Sequence, residues 1–547
     1  CTAVGKDALG SLTTGFRNVA IGQNSLGSLT TGIYNTVVGT FAHQNATTAS
    51  SNVAMGYHAL NQTTSGGNNV AIGYECLAAN TSAPNNTALG SQALQLNTTG
   101  TQQVAVGGFA LQNNTTGNYN HAFGYQALKN NTTANYNSAF GYLSMNVNTT
   151  GSFNTAFGRS SLQNNTTGAG NIAVGDVAMH ANTTGSNNVA IGTGALDANQ
   201  TGSFNTAVGT SALTTATGSD NTAVGHHALL LNTTGTENVA IGKQSLDANT
   251  TGIKNIAVGK YSLSQVVSGS RNTAVGDQAA FGVTGDRNTA VGNYALHSVT
   301  SNSSNTAVGD ECAQEQTGSL NTAVGKDAFR GISSGTHTGN YCTAVGANAL
   351  RHNTTASNNT AIGHNALYTN TSGTSNVAVG PPAMYLNTTG TRNTAVGHGA
   401  MHTNSTGSKN TALGYTALDV NTTGSNNVAI GDTALGAATT ANNNVAVGYR
   451  ALQLSTTAEN NTAVGSDVLM SNTSGGANTA VGRVSFQDLT TANNCVGLGY
   501  GSGSSVTTAS QSTLVGANAG TNITTGNDNT AFGYDALRSN LTGYQNT

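Results

Sequence analysis

The seventeen residues from Asn410 to Asn426, NTALGYTALDVNTTGSN, are written again with small changes on both sides of themselves. Counting each copy from the Asn of N-[TV]-A-[VILMF]-G places starts at Asn18, Asn35, Asn52, Asn69 and Asn86, and the same step runs on through Ser512, where Ser replaces Asn, to Asn529. The step is 17 residues almost everywhere, but 16 in the copies at Asn205, Asn272 and Asn305 and 21 in the copy at Asn321. Thirty-two complete copies fill the chain. A chain of 547 residues would ordinarily suggest three or four domains; a short fixed period instead predicts one continuous array over 1–547.

Within a copy, positions 1 to 4 are β-prone (Asn, Thr or Val, Ala, Val or Ile) and a near-constant Gly follows at position 5, which predicts a short strand ending at a tight corner. Positions 6 and 7 vary freely. Pro381-Pro382 occupies them in one copy, so their amides are expected to stand outside any hydrogen-bond ladder, in a turn facing solvent. Positions 8 and 9, usually Ala-Leu, read as a second short strand, and positions 12 to 15, usually Asn-Thr-Thr-Gly, as a second turn. Length changes fall where that division predicts. The 16-residue copies lose a residue in the second turn, and the long copy gains a loop insertion over 331–341.

Two strands and two turns per 17 residues describe one coil of an all-β, parallel β-solenoid, with equivalent positions stacked about 4.8 Å apart. Consecutive copies show no odd–even alternation, which favours one copy per coil over two. In copies such as NVAIG at Asn188 or Asn238, positions 2, 3 and 4 are all apolar. Such a strand is covered on both faces: one looks into its own coil, and the other onto a neighbouring chain.

The runs NVAIG at Asn18, Asn69, Asn188, Asn238 and Asn427, followed by Ala or Ser at position 8, resemble the head repeats of trimeric autotransporter adhesins of the YadA type. Similar repeats occur in phage and viral tail fibres. The resemblance covers effectively the whole chain and implies a left-handed parallel β-roll, three chains side by side, with the Val and Ile positions buried in the roll and the trimer core. The chain departs from that family in its longer copies, extended by the Asn-Thr-Thr-Gly turn, and in carrying no neck, stalk or anchor. Both ends lie in the repeat register, as in a segment of a longer fibre without caps.

Charge excludes several partners. Only 7% of residues are charged and the formal net charge is -3, so there is no basic footprint for nucleic acid or an anionic membrane surface. No apolar run is long enough to insert in a membrane. The five cysteines are too far apart in coil number to suggest a disulfide framework, and read as small semi-buried residues: Cys1, Cys342 and Cys495 stand at position 1, Cys76 and Cys312 at position 8. Acidic residues and histidines are scattered without ligand or catalytic spacing, so no enzyme, metal or other cofactor is expected.

Three rows of residues are candidate sites. Asn-Thr-Thr recurs at position 12, at Asn97, Asn114, Asn131, Asn148, Asn165, Asn182, Asn232, Asn249, Asn353, Asn387 and Asn421. Each is a glycosylation acceptor on an expected surface turn, or simply a turn former whose side chain bonds the local backbone. Asn at position 1, as at Asn188, Asn205, Asn221, Asn238, Asn393 and Asn410, is expected to stack coil upon coil as an amide ladder that caps the corner. Tyrosine recurs at position 6, at Tyr57, Tyr74, Tyr125, Tyr142, Tyr415 and Tyr449, as an exposed aromatic row or as cover for the neighbouring coil. The expected function is that of a non-enzymatic extracellular fibre on a cell or virion surface. It would span distance and present a repetitive, glycosylated face for adhesion or matrix formation. A tail fibre and an end-to-end surface filament are the alternatives. The partner is the chain itself, as a homotrimer, with a host surface, matrix or glycan receptor unidentified.

Overall fold

A computed structural model describes residues 1–298, 301–331 and 337–547. The protein is an all-β parallel solenoid with one three-residue strand per copy, and no helix occurs among the described residues. It divides into two compact units, Cys1–Asn272 and Thr273–Thr547. The first carries β1 (Thr2–Val4) to β16 (Ile256–Val258) and the second β17 (Thr273–Val275) to β32 (Thr530–Phe532). In each unit consecutive strands pair in parallel with equivalent positions opposite one another. Ala190 faces Ala207 in the first and Ala412 faces Ala429 in the second. Across the shortened copy at Asn205 the register still holds, Ala207 opposite Ala223, because the missing residue comes out of the turn.

The strand alternates as a pleated strand must. Ala412 at position 3 points into the coil and is fully buried, whereas Leu413 at position 4 is exposed. The expectation that Val and Ile fill the roll is corrected here. Alanine fills it, because the thin coil leaves room opposite the strand for little more than a methyl group beside the position 9 side chain, while positions 2 and 4 turn outward.

The corner at position 5 requires glycine. Gly414 has φ 143°, and a Cβ there would stand 2.4 Å from the carbonyl oxygen of Gly431 in the next coil. Both the backbone angle and the inter-coil approach exclude a side chain.

The second strand expected at positions 8 and 9 does not form. Thr416 (φ 45°) and Leu418 (φ 54°) adopt the left-handed conformation, as does Asn426 (φ 60°) before the next copy. A strand needs φ near -120°, and left-handed residues two apart curl the chain around the coil instead. For a non-glycine residue this conformation costs about 1–2 kcal/mol. Burial of Leu418, which is inaccessible to solvent, opposes that cost. The curled segment still hydrogen bonds between coils: Leu418 N–H donates to Ala434 O at 2.9 Å, and Thr403 N–H to Asp419 O at 2.9 Å.

Positions 6 and 7 also differ from expectation. Position 7 amides do join a ladder, Thr416 N–H donating to His398 O at 2.9 Å. Pro382 therefore forgoes one inter-coil bond and cannot adopt the positive φ found at position 7 in the neighbouring copies, Asn365 and Gly399. Of the expected insertion at 331–341, residues 332–336 lie outside the described residues; Gly331 N–H bonds Arg351 O at 2.9 Å on one side of them.

Candidate functional site

Most coils are pinned by one or both of two rows of buried asparagine, at positions 1 and 12. At position 1 the side chain links coils through the backbone: Asn188 Oδ1 accepts the Asn205 N–H at 2.9 Å, Asn205 Oδ1 the Asn221 N–H at 3.0 Å, and Asn221 Oδ1 the Asn238 N–H at 3.1 Å. Asn393 Oδ1 accepts from Asn410 N–H at 2.9 Å in the same way. The Nδ2 group closes the coil on itself, Asn410 donating to Gly424 O at 2.8 Å. The row is thus chiefly a side-chain-to-backbone ladder. Amide-to-amide contact is its weaker component, Asn188 Nδ2 lying 3.1 Å from Asn171 Oδ1.

At position 12 the structure overturns the surface turn. Asn97, Asn114, Asn131, Asn148, Asn165, Asn182, Asn232, Asn249, Asn353, Asn387 and Asn421 are all fully buried. Each of these Nδ2 groups donates to the carbonyl oxygen of position 15 in its own coil, for example Asn165 to Gly168 at 2.9 Å. Within a run it donates also to Oδ1 of the preceding Asn, Asn165 to Asn148 at 2.7 Å and Asn182 to Asn165 at 2.8 Å. The nitrogen that would carry a glycan has no path to solvent, and both its hydrogens are engaged except at Asn232 and Asn353, which begin their runs and donate to position 15 alone. Glycosylation at these sites is incompatible with the folded coil.

The ladder has natural ends. One run extends from Asn80 to Asn199, another joins Asn232 and Asn249, and a third passes from Asn353 to Asn421. The next coil then offers Ala216, Val266 or Ala438 at position 12, and the Oδ1 atoms of Asn199, Asn249 and Asn421 are left without a donor. Before the interrupted copy, Gln316 takes the position, and its longer arm reaches past one coil to Asn353 O at 3.2 Å. Asn80, Asn199, Asn370 and Asn404 belong to the ladder although they sit in Asn-Thr-Ser, Asn-Gln-Thr and Asn-Ser-Thr variants. Their shared position in the period was the signal that identifies them.

Position 13 adds a third link, Thr422 Oγ1 donating to Thr439 O at 3.0 Å. The tyrosines at position 6 are exposed. Tyr57 stacks on Tyr74 (ring centroids 5.8 Å apart) and Tyr125 on Tyr142 (5.7 Å), whereas Tyr415 stacks on His398 and Tyr449 lies under Arg450. The first three contacts are short pairs between adjacent coils and the last lies within one coil, so the tyrosines do not make one unbroken row.

Core substitutions are matched across coils. Phe486 replaces Leu at position 9; in the next coil Gly497 and Gly503 replace the usual Ala and Leu, and a Cβ on either would come within 2.5 Å and 2.4 Å of the Phe486 ring. Leu514, standing where Ala is usual, fills the space beside Gly503 and Gly520. His43, also at position 9, is fully buried, and neither ring nitrogen has a hydrogen-bond partner; burial pushes its pKa down to about 3.

All five thiols are free. Burial raises Cys76 and Cys312 to about 12 and Cys342 to about 11, while Cys1 is exposed. Among the described residues no group of three or more His, Cys, Asp or Glu side chains is placed to hold a metal ion, and no helix is long and apolar enough to cross a membrane.

The feature with the greatest reach is the outward strand face. Positions 2 and 4 carry Val, Ile, Leu, Met, Phe or Thr in nearly every coil, and Ile21, Met55, Leu89, Ile191 and Ile241 in the first unit, with Val308, Ile362, Leu413 and Val481 in the second, are exposed apolar side chains of that face. No protein-family model matches the chain, and no curated protein sequence matches it.

Proposed function

We propose that the chain is a non-enzymatic structural fibre segment that associates side by side with copies of itself. The observation that carries this reading is the outward strand face. It sets exposed and half-buried Val, Ile and Leu side chains in line along each unit. A soluble surface seldom leaves so long an apolar strip uncovered. A surface that repeats at the coil spacing of about 4.8 Å is matched best by another solenoid of the same period, and the nearest such object is a second copy.

The resemblance to YadA-type head repeats supports a left-handed roll and a homotrimer, with the strips of three chains meeting at a common axis. It also supports an extracellular setting, on a cell or virion surface, for adhesion or matrix building. The buried asparagine and threonine ladders suit such a role, since they stiffen the coil while spending few charges. With the position 12 sequons inside the coil, the face offered to the surroundings is protein rather than a line of glycans.

Sedimentation equilibrium of the purified chain tests the reading. The monomer is 54.6 kDa, and three times that mass is expected. A stable monomer at micromolar concentration would overturn it.

A further inference from the structure

On one stretch of the outward face the aliphatic row changes character. Phe123, Phe140 and Phe157 occupy position 4 of three successive coils, between Val106 below and Val174 above. Their rings stack along the solenoid, centroids 4.7 Å and 5.7 Å apart. In the same stretch, Tyr119, Tyr136 and Phe153 at position 17 form a second row, stacked in parallel at 4.9 Å and 5.1 Å. Phe153 and Phe157 are 64% and 58% exposed, the rings standing well clear of the coil that bears them. Position 2 in the same coils is His121, Ser138 and Thr155, so the aromatic rings are the apolar surface there.

We infer that this aromatic segment sets the axial register in which copies of the chain pack against one another, an inference that rests on the self-association proposed above. A strip of Val, Ile, Leu, Met and Thr that changes little from coil to coil nearly maps onto itself when one chain slides by a coil, about 4.8 Å. Its apolar contacts are then regained, and such contacts cannot select one alignment. The three phenylalanines break that equivalence. In register, they meet their counterparts at the same height. Slipped by one coil, a ring at one end of the row faces an aliphatic side chain too small to fill the space made for it, and contact is lost.

The orientation of the rings selects the occupant. Phe140 stacks on Phe123 and Phe157 lies over Phe140 at a 30° tilt, so the faces between neighbouring rings are covered within the chain and their edges point outward. A sugar docks on an open aromatic face; outward edges instead form a ridged apolar surface that packs by close contact against the side chains of another chain. The row is also collinear with the aliphatic strip, so a copy that covers Val106 and Val174 runs across it.

The test uses Cys1, the exposed native thiol, as the site of a nitroxide label, with distances between labels read by double electron–electron resonance. Native assemblies are expected to give one narrow distance distribution. The variant Phe123→Val/Phe140→Val/Phe157→Val restores the aliphatic row on an exposed face; it is expected to keep the oligomeric mass and circular dichroism but to spread the distribution over slips of about 4.8 Å each. A second variant, Phe123→Val/Val174→Phe, moves the row along by one coil and is expected to form mixed assemblies with labelled native chain that are offset by that step. A triple variant as narrow as the native chain overturns the inference and leaves self-association standing. A triple variant that becomes monomeric also overturns it, since the rings would then be needed for association itself. A native chain that is monomeric overturns both readings.

Discussion

Replacing Asn165 by Ala removes an interior rung of the longest asparagine run and measures how much the buried ladder holds a coil in place. Three bonds go: Asn165 Nδ2 to Asn148 Oδ1 at 2.7 Å, Asn165 Nδ2 to Gly168 O at 2.9 Å, and Asn182 Nδ2 to Asn165 Oδ1 at 2.8 Å. The substitution leaves one hydrogen of Asn182 Nδ2 and the Asn148 Oδ1 unpaired in a site closed to solvent, while the Gly168 carbonyl keeps the Asn154 Nδ2 donor at 2.9 Å. At roughly 1–3 kcal/mol for each of the two buried polar groups left unpaired, the expected loss is about 2 kcal/mol or more. Backbone strain does not enter the comparison, because Ala46, Ala216 and Ala438 occupy the same position in coils of normal strand register.

A stacked array transmits such a loss mainly to adjacent coils, so a global melting temperature is a blunt reporter. Hydrogen–deuterium exchange resolved by peptide is the suitable assay. The amides of Asn165 and Thr166, bonded to Leu162 O at 3.3 Å and Thr183 O at 2.9 Å, are expected to exchange about thirtyfold faster or more, with the effect fading within a coil or two. An acceleration below about threefold would refute the reasoning and show that the ladder is decoration on a coil held by its backbone bonds.

Other perturbations test other parts of the same account. Ala438→Asn should bridge the end of the third run, supplying a donor to Asn421 Oδ1 and an acceptor for Ser455 Oγ, both unpaired; slower exchange in these coils, by about 1 kcal/mol, is expected. His43 has its folded pKa lowered to about 3, below the ~6.5 of the unfolded chain, so the open state takes up the proton first as pH falls. Stability of the coils around His43 should therefore be flat above about pH 6.5 and drop by up to ~1.4 kcal/mol per pH unit on going down towards 3; His43→Leu should abolish that slope in pH-resolved exchange. Gly503→Leu restores the residue usual at position 9 yet should destabilise its coil by about 1–3 kcal/mol, because the Phe486 ring and Leu514 already occupy the space. Adding Phe486→Leu and Leu514→Ala should recover most of the loss, and a neutral Gly503→Leu alone would count against the compensated packing.

Period and punctuation carried most of the architecture. The 17-residue step, the near-constant Gly at position 5 and the placing of every length change in a turn predict a coil per copy and parallel, in-register strands, and these are found. Those signals are legible because each answers to a local constraint: a left-handed corner admits only Gly414 and its equivalents, and a strand in a stack cannot absorb an extra residue. The position 1 asparagines, placed by the same period, lie where a coil must be closed and the next one started.

What the letters left open was decided between coils. Asn-Thr-Thr-Gly suits an exposed turn and a buried rung equally well, and only the Oδ1 of the coil below and the carbonyl at position 15 draw Asn421 inside. Ala417-Leu418 looks β-prone in isolation, yet packing Leu418 against its neighbours above and below requires the left-handed backbone that no propensity would assign to leucine. The exchange of bulk among Phe486, Gly497, Gly503 and Leu514 is likewise invisible in any one copy. Sequence periodicity determines which residues stack, because equal spacing along the chain becomes equal angle around the coil. Which of them face inward was settled by tertiary structure, because inward and outward are defined only by where the next coil's hydrogen-bond partners and side chains stand.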